Sequence, residues 1–367
     1  MKSVVLLDHS LAHYRNDVFN VLRTNDNFKF KIVTSAYYQG VTGEINPNDI
    51  LLKYVSFKIG KHTFYYLKKS IIQTFKLKPD LVIVGGYDIH MIHTTLFFIL
   101  WRIILRRKLI WWGHGTQGKQ GWLGGLFRSF FYRNSNGIMV YSKKGYDTLT
   151  NLKVNPDKII IIANSNNVKD YGFLNYNLFE KPINTKLNMV YSGRITPSKK
   201  IDVLIDALNI LKSTYKIDFE CNIIGGGVTE SMIKKIRELK LEDSISFIGE
   251  KYGNEIHTYF FNADLMAYPS GIGLSLVHSL SFGVPVITTN LMQEHGPEVE
   301  LLLNGLNGDF FQSEDINDLA KKIVNWNVKI KESKNQILEN CINSIKQNEY
   351  VPDKLVEKVI NFVSKHL

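Results

Sequence analysis

The stretch YPSGIGLSLVHSLSFGVPVITTNLMQEHGPEVE, Tyr268 to Glu300, decides how this chain is read. Ser270, Gly271 and Gly273 form a short loop that opens a helix predicted over 274–282. Gly283 and Pro285 stop that helix, and an apolar strand, 286–288, follows at once. Amides at a helix start lack intrahelical acceptors and lie at the positive end of the helix dipole. A glycine loop in that position suits a phosphate. Upstream, Ser192-Gly193-Arg194 and Lys199 bring two cations to another strand-to-helix junction.

The same rhythm extends in both directions. Apolar runs at 188–191, 219–224, 244–248, 265–268, 286–288 and 308–311 read as strands, with helices predicted at 201–215, 231–239, 254–262, 316–326 and 333–346. Val203, Leu204, Ala207, Leu208 and Leu211 trace an apolar stripe at helical spacing. In the first half, strands are expected at 4–7, 30–34, 81–84, 109–112, 137–141 and 159–163, and helices at 17–24, 65–75 and 89–105. Two strand–helix series in succession predict an α/β chain of two doubly wound, Rossmann-like domains facing a cleft. The expected divisions are residues 1–183 and 184–350. A last helix in 351–367 would return to the first domain.

With 367 residues and 44% hydrophobic content, the chain is long enough for two ordinary cores. Its two cysteines, Cys221 and Cys341, give neither a disulfide framework nor metal-ligand spacing. His90 and His93 share helical spacing but have no nearby carboxylate or thiolate to complete a metal site. No secretory signal is expected, because Val4 to Leu7 is a short run closed by Asp8. Residues 1–186 carry 26 Lys/Arg against 11 Asp/Glu, net +15, while the remainder carries 19 against 23, net −4. Much of the excess lies among aromatics between Lys53 and Lys144, a mixture that suits an anionic membrane surface. The run at 96–101 is too short to span a bilayer. Nucleic acid ranks last as a partner, since no finger, RNP or helix-turn-helix signature is present.

The series Gly193-Arg194 with Lys199, Gly225–Gly227, Phe247-Ile248-Gly249, Gly271-x-Gly273-Leu274, Gly283-x-Pro285, Pro297-Glu298 and Asn304-Gly305-x-Asn307-Gly308 resembles the retaining glycosyltransferases of family 4, which have the GT-B architecture. The resemblance covers roughly residues 188 to 325. In the first half it rests on strand order, His13-Tyr14-Arg15 and His114. It implies a nucleotide-sugar donor of UDP or GDP type, and neither a cofactor nor a metal. Donor contacts would come from Gly193, Arg194, Lys199, Ile248, Gly249, Ser270, Gly271, Ile272, Gly273, Leu274, His278 and Glu298. Arg194 offers a rigid fork to phosphate oxygens and Lys199 a point charge. Lys200 stands where the family usually has Gly, leaving open which lysine reaches the phosphate.

One departure concerns two glutamates that the family usually carries eight positions apart around the glycine loop. Here Ser270 and His278 take those places. His278 would supply one hydrogen bond to the ribose, and Glu298, or more weakly Glu294, would stand in for a missing carboxylate. His114, flanked by Gly113 and Gly115 after an apolar strand, is the candidate catalytic residue beside the transferred sugar. His13, Arg15 and Tyr87, with Asp88, are candidate acceptor contacts. The resemblance implies sugar transfer with retention to a hydroxyl of a lipid-linked oligosaccharide or polysaccharide. The protein would be cytoplasmic, peripheral on the inner face of the membrane, and would serve capsule, O-antigen or exopolysaccharide synthesis in a bacterium. Two alternatives stay open: a sugar-nucleotide epimerase of the same architecture, and a catalytically silent partner of another transferase.

Overall fold

The computed structural model describes residues 1–9, 11, 15–35, 46–86, 90–115, 122–164, 166–182 and 184–367. The chain divides into two compact units, residues 1–167 with 352–367, and residues 168–351. In chain order the first unit carries β1 (Ser3–Leu7), α1 (Asn16–Thr24), β2 (Lys29–Thr34), β3 (Ile50–Leu51), β4 (Tyr54–Ile59), β5 (His62–Leu67), α2 (Ser70–Lys76), β6 (Leu81–Gly85) and α3 (Ile92–Phe98). A π-helical segment, Ile99–Ile104, continues α3. Then come β7 (Lys108–Gly113), α4 (Trp122–Arg133), β8 (Gly137–Val140), α5 (Lys143–Asn151) and β9 (Ile159–Ile161).

Seven of these strands form a parallel sheet ordered β3-β2-β1-β6-β7-β8-β9. Its central strands are apolar at almost every position because helices cover both faces, so neither side of the pleat meets water. On one face Leu6, Phe19, Ile83 and Trp112 share a core with Leu355, Val359 and Val363. These last three belong to the terminal helix Pro352–His366, which packs against α1. On the other face Val82, Val84 and Trp111 pack with Phe97, Phe98, Trp101 and Phe131 from α3, the π-helical segment and α4.

The helix expected at 65–75 is corrected by this structure. Residues 65–67 belong to β5, which pairs antiparallel with β4 as a separate hairpin, and the helix begins only at Ser70. Gly60, with φ of 58°, makes the turn. The aromatic run Phe64-Tyr65-Tyr66 favours extended backbone, where Phe57 stacks on Phe64 at 5.8 Å.

The second unit contains α6 (Gly172–Asn175), β10 (Leu187–Ser192), α7 (Ile201–Ser213), β11 (Phe219–Ile224), α8 (Glu230–Glu238), β12 (Ile245–Gly249), α9 (Asn254–Asn262), β13 (Leu265–Tyr268), α10 (Leu274–Ser281), β14 (Val286–Thr289), β15 (Gly308–Phe311) and α11 (Ile316–Gln347). The long α11 is broken at Ser333, whose φ of −142° lies outside the helical range. The parallel sheet runs β12-β11-β10-β13-β14-β15, the doubly wound order in which direction reverses between β10 and β13.

The division falls after Asn167, not near residue 183, because residues 168–182 are fastened to the second unit. The Tyr171 hydroxyl donates to the Tyr350 carbonyl, and Gly172 N–H donates to Ser281 Oγ at 3.2 Å. Lys181 Nζ, fully buried, donates to the carbonyls of Phe260, Ala263 and Phe282 at 3.2, 2.9 and 3.1 Å. Burial and the nearby Lys334 push its pKa down to about 7. Three carbonyl oxygens nevertheless supply the acceptors that an ammonium requires.

The terminal helix, α12 (Pro352–His366), is thus a wall of the first core, with Leu355 only 3% exposed. Leu355→Ala is expected to lower the stability of the first unit by about 3 kcal/mol. Urea unfolding of the full chain, followed by a fluorophore placed in each unit, should show the first transition shift and the second stay where it was.

Candidate functional site

In a doubly wound sheet the ligand crevice lies beyond the carboxyl ends of the strands, where strand order reverses. In the second unit that point is flanked by β10 and β13. The loop after β10 is Gly193–Lys199, and the loop after β13 is Ser270–Gly273. Gly193 N–H donates to the Ile224 carbonyl at 3.0 Å and Ile195 N–H to the Gly226 carbonyl at 2.8 Å, so adjacent strand ends are tied together. Arg194 is exposed; its guanidinium makes no hydrogen bond or ion pair among the described residues, and its carbonyl accepts from the Tyr191 hydroxyl at 3.2 Å. With Gly225, Gly226, Glu250 and Tyr252 it lines a crevice at the ends of β10, β11 and β12.

Lys199 occupies the switch point itself. Its Nζ donates to the Gly271 carbonyl at 2.8 Å and lies 5.1 Å from the centre of the Tyr268 ring. Tyr268 in turn stacks on Tyr191 at 4.8 Å. Lys200 turns elsewhere, with Nζ 3.0 Å from Glu314 and 3.9 Å from Glu294. Its φ of 53° is the left-handed conformation that glycine adopts most cheaply, the physical reason a glycine suits this place. Of the two lysines, therefore, Lys199 is the one at the glycine loop.

The loop before α10 has almost no freedom. A Cβ on Gly271 would overlap the Glu294 carbonyl oxygen, so only glycine fits. Ile272 N–H donates to His295 Nδ1 at 3.1 Å, His295 Nε2 donates to the Thr289 carbonyl at 2.8 Å, and Gly296 N–H donates to the Ile272 carbonyl at 2.8 Å. A backbone N–H can only donate and a carbonyl can only accept, which fixes His295 as the neutral Nε2-protonated tautomer. Glu298 is 2% exposed, and its carboxylate lies against the backbone of Gly273 and Gly296. Leu274 opens α10, and in its first turn Leu276 N–H donates to the Gly273 carbonyl at 2.9 Å.

Ser270 is buried, its Oγ without a partner, while its carbonyl accepts from Thr288 Oγ1 at 2.9 Å. His278 does not meet the expectation of an imidazole open to a ribose. Its ring packs against Phe260 and Phe282, at 4.4 and 5.3 Å, and its Nε2 is sealed from solvent with no partner among the described residues. Burial, with His257 nearby, pushes its pKa down to about 3. The cause is its place one turn into α10, on the side that meets α9. Ile248 and Gly249 end β12, and the Gly249 carbonyl accepts from Gly225 N–H at 2.9 Å. It is the following residues, Glu250 and Tyr252, hydrogen-bonded at 3.1 Å, that border the crevice.

The first unit has its own group at the ends of β1, β7 and β8. Asp8 is buried, and burial alone would raise its pKa. The charge and hydrogen bonds of His9, with Arg15 nearby, outweigh that and hold it below the ordinary carboxylate range. The Arg15 guanidinium lies 4.7 Å from the Tyr141 ring centre and donates to Asn164 Oδ1 at 3.3 Å. His114 follows β7 with its ring edge-on to Tyr141 at 4.9 Å. Although the residue as a whole is open to solvent, desolvation of the ring and the Arg15 charge lower its pKa to about 4, which keeps the imidazole neutral. His13, Tyr87 and Asp88 lie outside the described residues. No group of three His, Cys, Asp or Glu among the described residues is placed to hold a metal ion, and no helix is long and apolar enough to cross a membrane.

Two doubly wound units, one with a cationic strand end beside a glycine-opened helix, define the GT-B class. The family model of Glycosyl transferases group 1 matches residues 177–343, in the second unit. The fold is shared over almost the whole chain with solved structures. A glycosyltransferase from Rickettsia africae has a TM-score of 0.72 at 17% identity, covering 99% of this chain and 98% of that one. HepE from Anabaena, solved in complex with UDP, has a TM-score of 0.67 at 15% identity, covering all of both chains. The lipopolysaccharide outer core galactosyltransferase WaaB, in its apo form, gives 0.69 at 16% identity, again covering all of both. In sequence, the chain is 31% identical over 144 residues to AmsK of Erwinia amylovora, an amylovoran biosynthesis glycosyltransferase. That match spans 36% of this chain and 34% of the relative's length.

His295 was not singled out by sequence reasoning, although it lies in the stretch quoted first. Its role depends on two backbone partners that no spacing rule links. His295→Ala leaves the buried Ile272 N–H unpaired and is expected to destabilise the loop by about 2 kcal/mol. Hydrogen exchange should show faster exchange at Ile272 and Gly296, and nucleotide affinity should fall with it. His278 carries a pH signature instead. The unfolded chain protonates this histidine near its ordinary value of 6.5, while the folded chain refuses the proton until about pH 3. The group therefore adds no penalty above pH 6.5 and a growing one as pH falls. His278→Leu should lose less stability than the parent between pH 7 and pH 5, measured by urea unfolding at each pH.

Proposed function

We propose that this protein transfers a sugar from a nucleoside diphosphate donor to a hydroxyl of a glycan acceptor, with retention at the anomeric carbon, in bacterial surface polysaccharide synthesis. The observation that carries this reading is the switch point of the second sheet. There Lys199 is held at the glycine loop that opens α10, and Arg194, whose guanidinium has no partner among the described residues, lies at the end of the same strand, β10. As the bond from anomeric carbon to phosphate oxygen breaks, its electron pair passes to the diphosphate. Preorganised cations and helix amides are suited to stabilising that charge. The acceptor oxygen forms the new bond on the same face, and its proton goes to the departing phosphate oxygen. No side-chain nucleophile is required by this scheme, and neutralisation by Arg194 and Lys199 makes a divalent cation unnecessary. Glu298, whose carboxylate lies against Gly273, is our candidate for ribose or sugar hydroxyls.

The UDP bound by HepE favours a UDP donor over a GDP donor, and the amylovoran role of AmsK favours an exopolysaccharide product. In the first unit, His114 and Arg15 are the candidates for acceptor or sugar contacts. A lipid-linked acceptor, met at the inner face of the cell membrane by a peripheral protein, fits the basic first half. Incubation with a panel of UDP- and GDP-sugars should give slow hydrolysis without acceptor. Epimerised donor would favour the epimerase, and no thermal shift with any nucleotide would favour a silent partner. Arg194→Ala and Lys199→Ala should each slow turnover of the active donor by about a hundredfold with unchanged melting temperature. Unaltered kinetics in both would refute the assignment.

A further inference from the structure

Part of the exposed apolar surface of the first unit lies on one helical layer, apart from the β4–β5 hairpin with its exposed Phe57 and Ile59. α3 and the π-helical segment pack beside α4 over the same face of the sheet. Phe98 meets Phe131 at 4.8 Å, and Arg102 Nε donates to the Asn134 carbonyl at 2.6 Å. The inward sides of these helices bury Phe97, Phe98, Trp101 and Phe131. Their outward sides expose Ile99, Ile103 and Ile104 on one and Leu126, Phe127 and Phe130 on the other. Phe127 at 55% and Ile104 at 63% exposed are large apolar groups left in water. Six large apolar side chains exposed on two neighbouring helices mark an interaction surface.

The charge around it identifies the partner. Residues 50–146 contain sixteen Lys/Arg and two acidic residues, Asp80 and Asp88, and no acidic residue occurs between Ile89 and Tyr146. Arg106, Arg107 and Lys108 are exposed directly after the π-helical segment, and Arg133 closes α4. A protein partner would need a large acidic, apolar counter-surface. An anionic bilayer offers both properties at once: acyl chains for the isoleucine and phenylalanine side chains, and phosphate headgroups for the arginines.

We infer that the outward face of α3, its π-helical continuation and α4 is the surface on which this protein docks to anionic lipid. This deepens the proposed function, from which it takes the membrane-borne acceptor, and it assigns the docking to particular side chains. Phe127 and Phe130 act as the apolar wedge of α4, Ile103 and Ile104 as that of the π-helical segment, and Arg106 as an electrostatic tether.

The test is co-sedimentation of the full chain with vesicles of phosphatidylcholine, with and without phosphatidylglycerol. The parent should bind only the anionic vesicles and be released by added salt. Phe127→Glu with Phe130→Glu should weaken partitioning by about tenfold or more, and Arg106→Gln should weaken it less. Phe127→Ser with Phe130→Ser serves if the charged pair fails to fold, as judged by thermal melting. Unchanged vesicle binding in folded variants would overturn the inference. So would a parent dimer, seen by light scattering, that these variants convert to monomer without altering lipid binding, since the face would then join two copies of the chain. UDP- and GDP-induced thermal stabilisation, measured alongside, reports on the second unit. Its absence would sink the donor reading while leaving the lipid surface standing, and its presence with unaltered vesicle binding would do the reverse.

Discussion

The second unit depends on a steric constraint at Gly271, whose Cα hydrogen lies where any side chain would strike the Glu294 carbonyl. That approach brings the segment after β14 against the loop after β13. It lets His295 bond Ile272 on one side and Thr289 on the other, and it gives Lys199 a carbonyl to rest on. Three strand ends are thereby locked before any ligand arrives. The orientation of the helix that opens at Leu274 follows from this lock. A loop whose ordering cost is met during folding does not have to meet it again on binding.

Electrostatics complement the lock. Among the described residues Lys199 meets no carboxylate; a carbonyl dipole and an aromatic face hold it, both weak enough to be exchanged for an anion. Lys200, one residue on, is committed to glutamates and serves the frame. Adjacent residues of the same chemistry thus diverge in role because one backbone dihedral is left-handed.

Much of this was legible in the residues. Strands of the second sheet announce themselves as short apolar runs between Gly and Pro, since they are buried on both faces. Arg194, Lys199 and the Gly271–Leu274 loop stand out in the sequence as cations and glycines after apolar runs, and they follow β10 and β13 in the fold. What escaped were features set by distant partners. The tautomer of His295 depends on residues 272 and 289, and the turn of His278 towards Phe260 depends on the packing of α9. In the first unit, the β4–β5 hairpin was hidden because Tyr65 to Phe75 satisfies a helical period as readily as a strand followed by a short helix. Burial alone could not separate those two, whereas the turn at Gly60 could have. The division after Asn167 was hidden for another reason: residues 168–182 look like a linker until Lys181 and Tyr171 are seen anchored in the second core.

The terminal helix gives the chain a particular order of assembly. The second unit is continuous in sequence, whereas the first is interrupted and regains its last wall only at residues 352–367. On a translating ribosome the interrupted half emerges first yet must wait, with the apolar floor beneath α1 uncovered, until the other half has been made. The half made later can close first, and the half begun earlier closes last, so chaperone demand during biogenesis should centre on the leading segment.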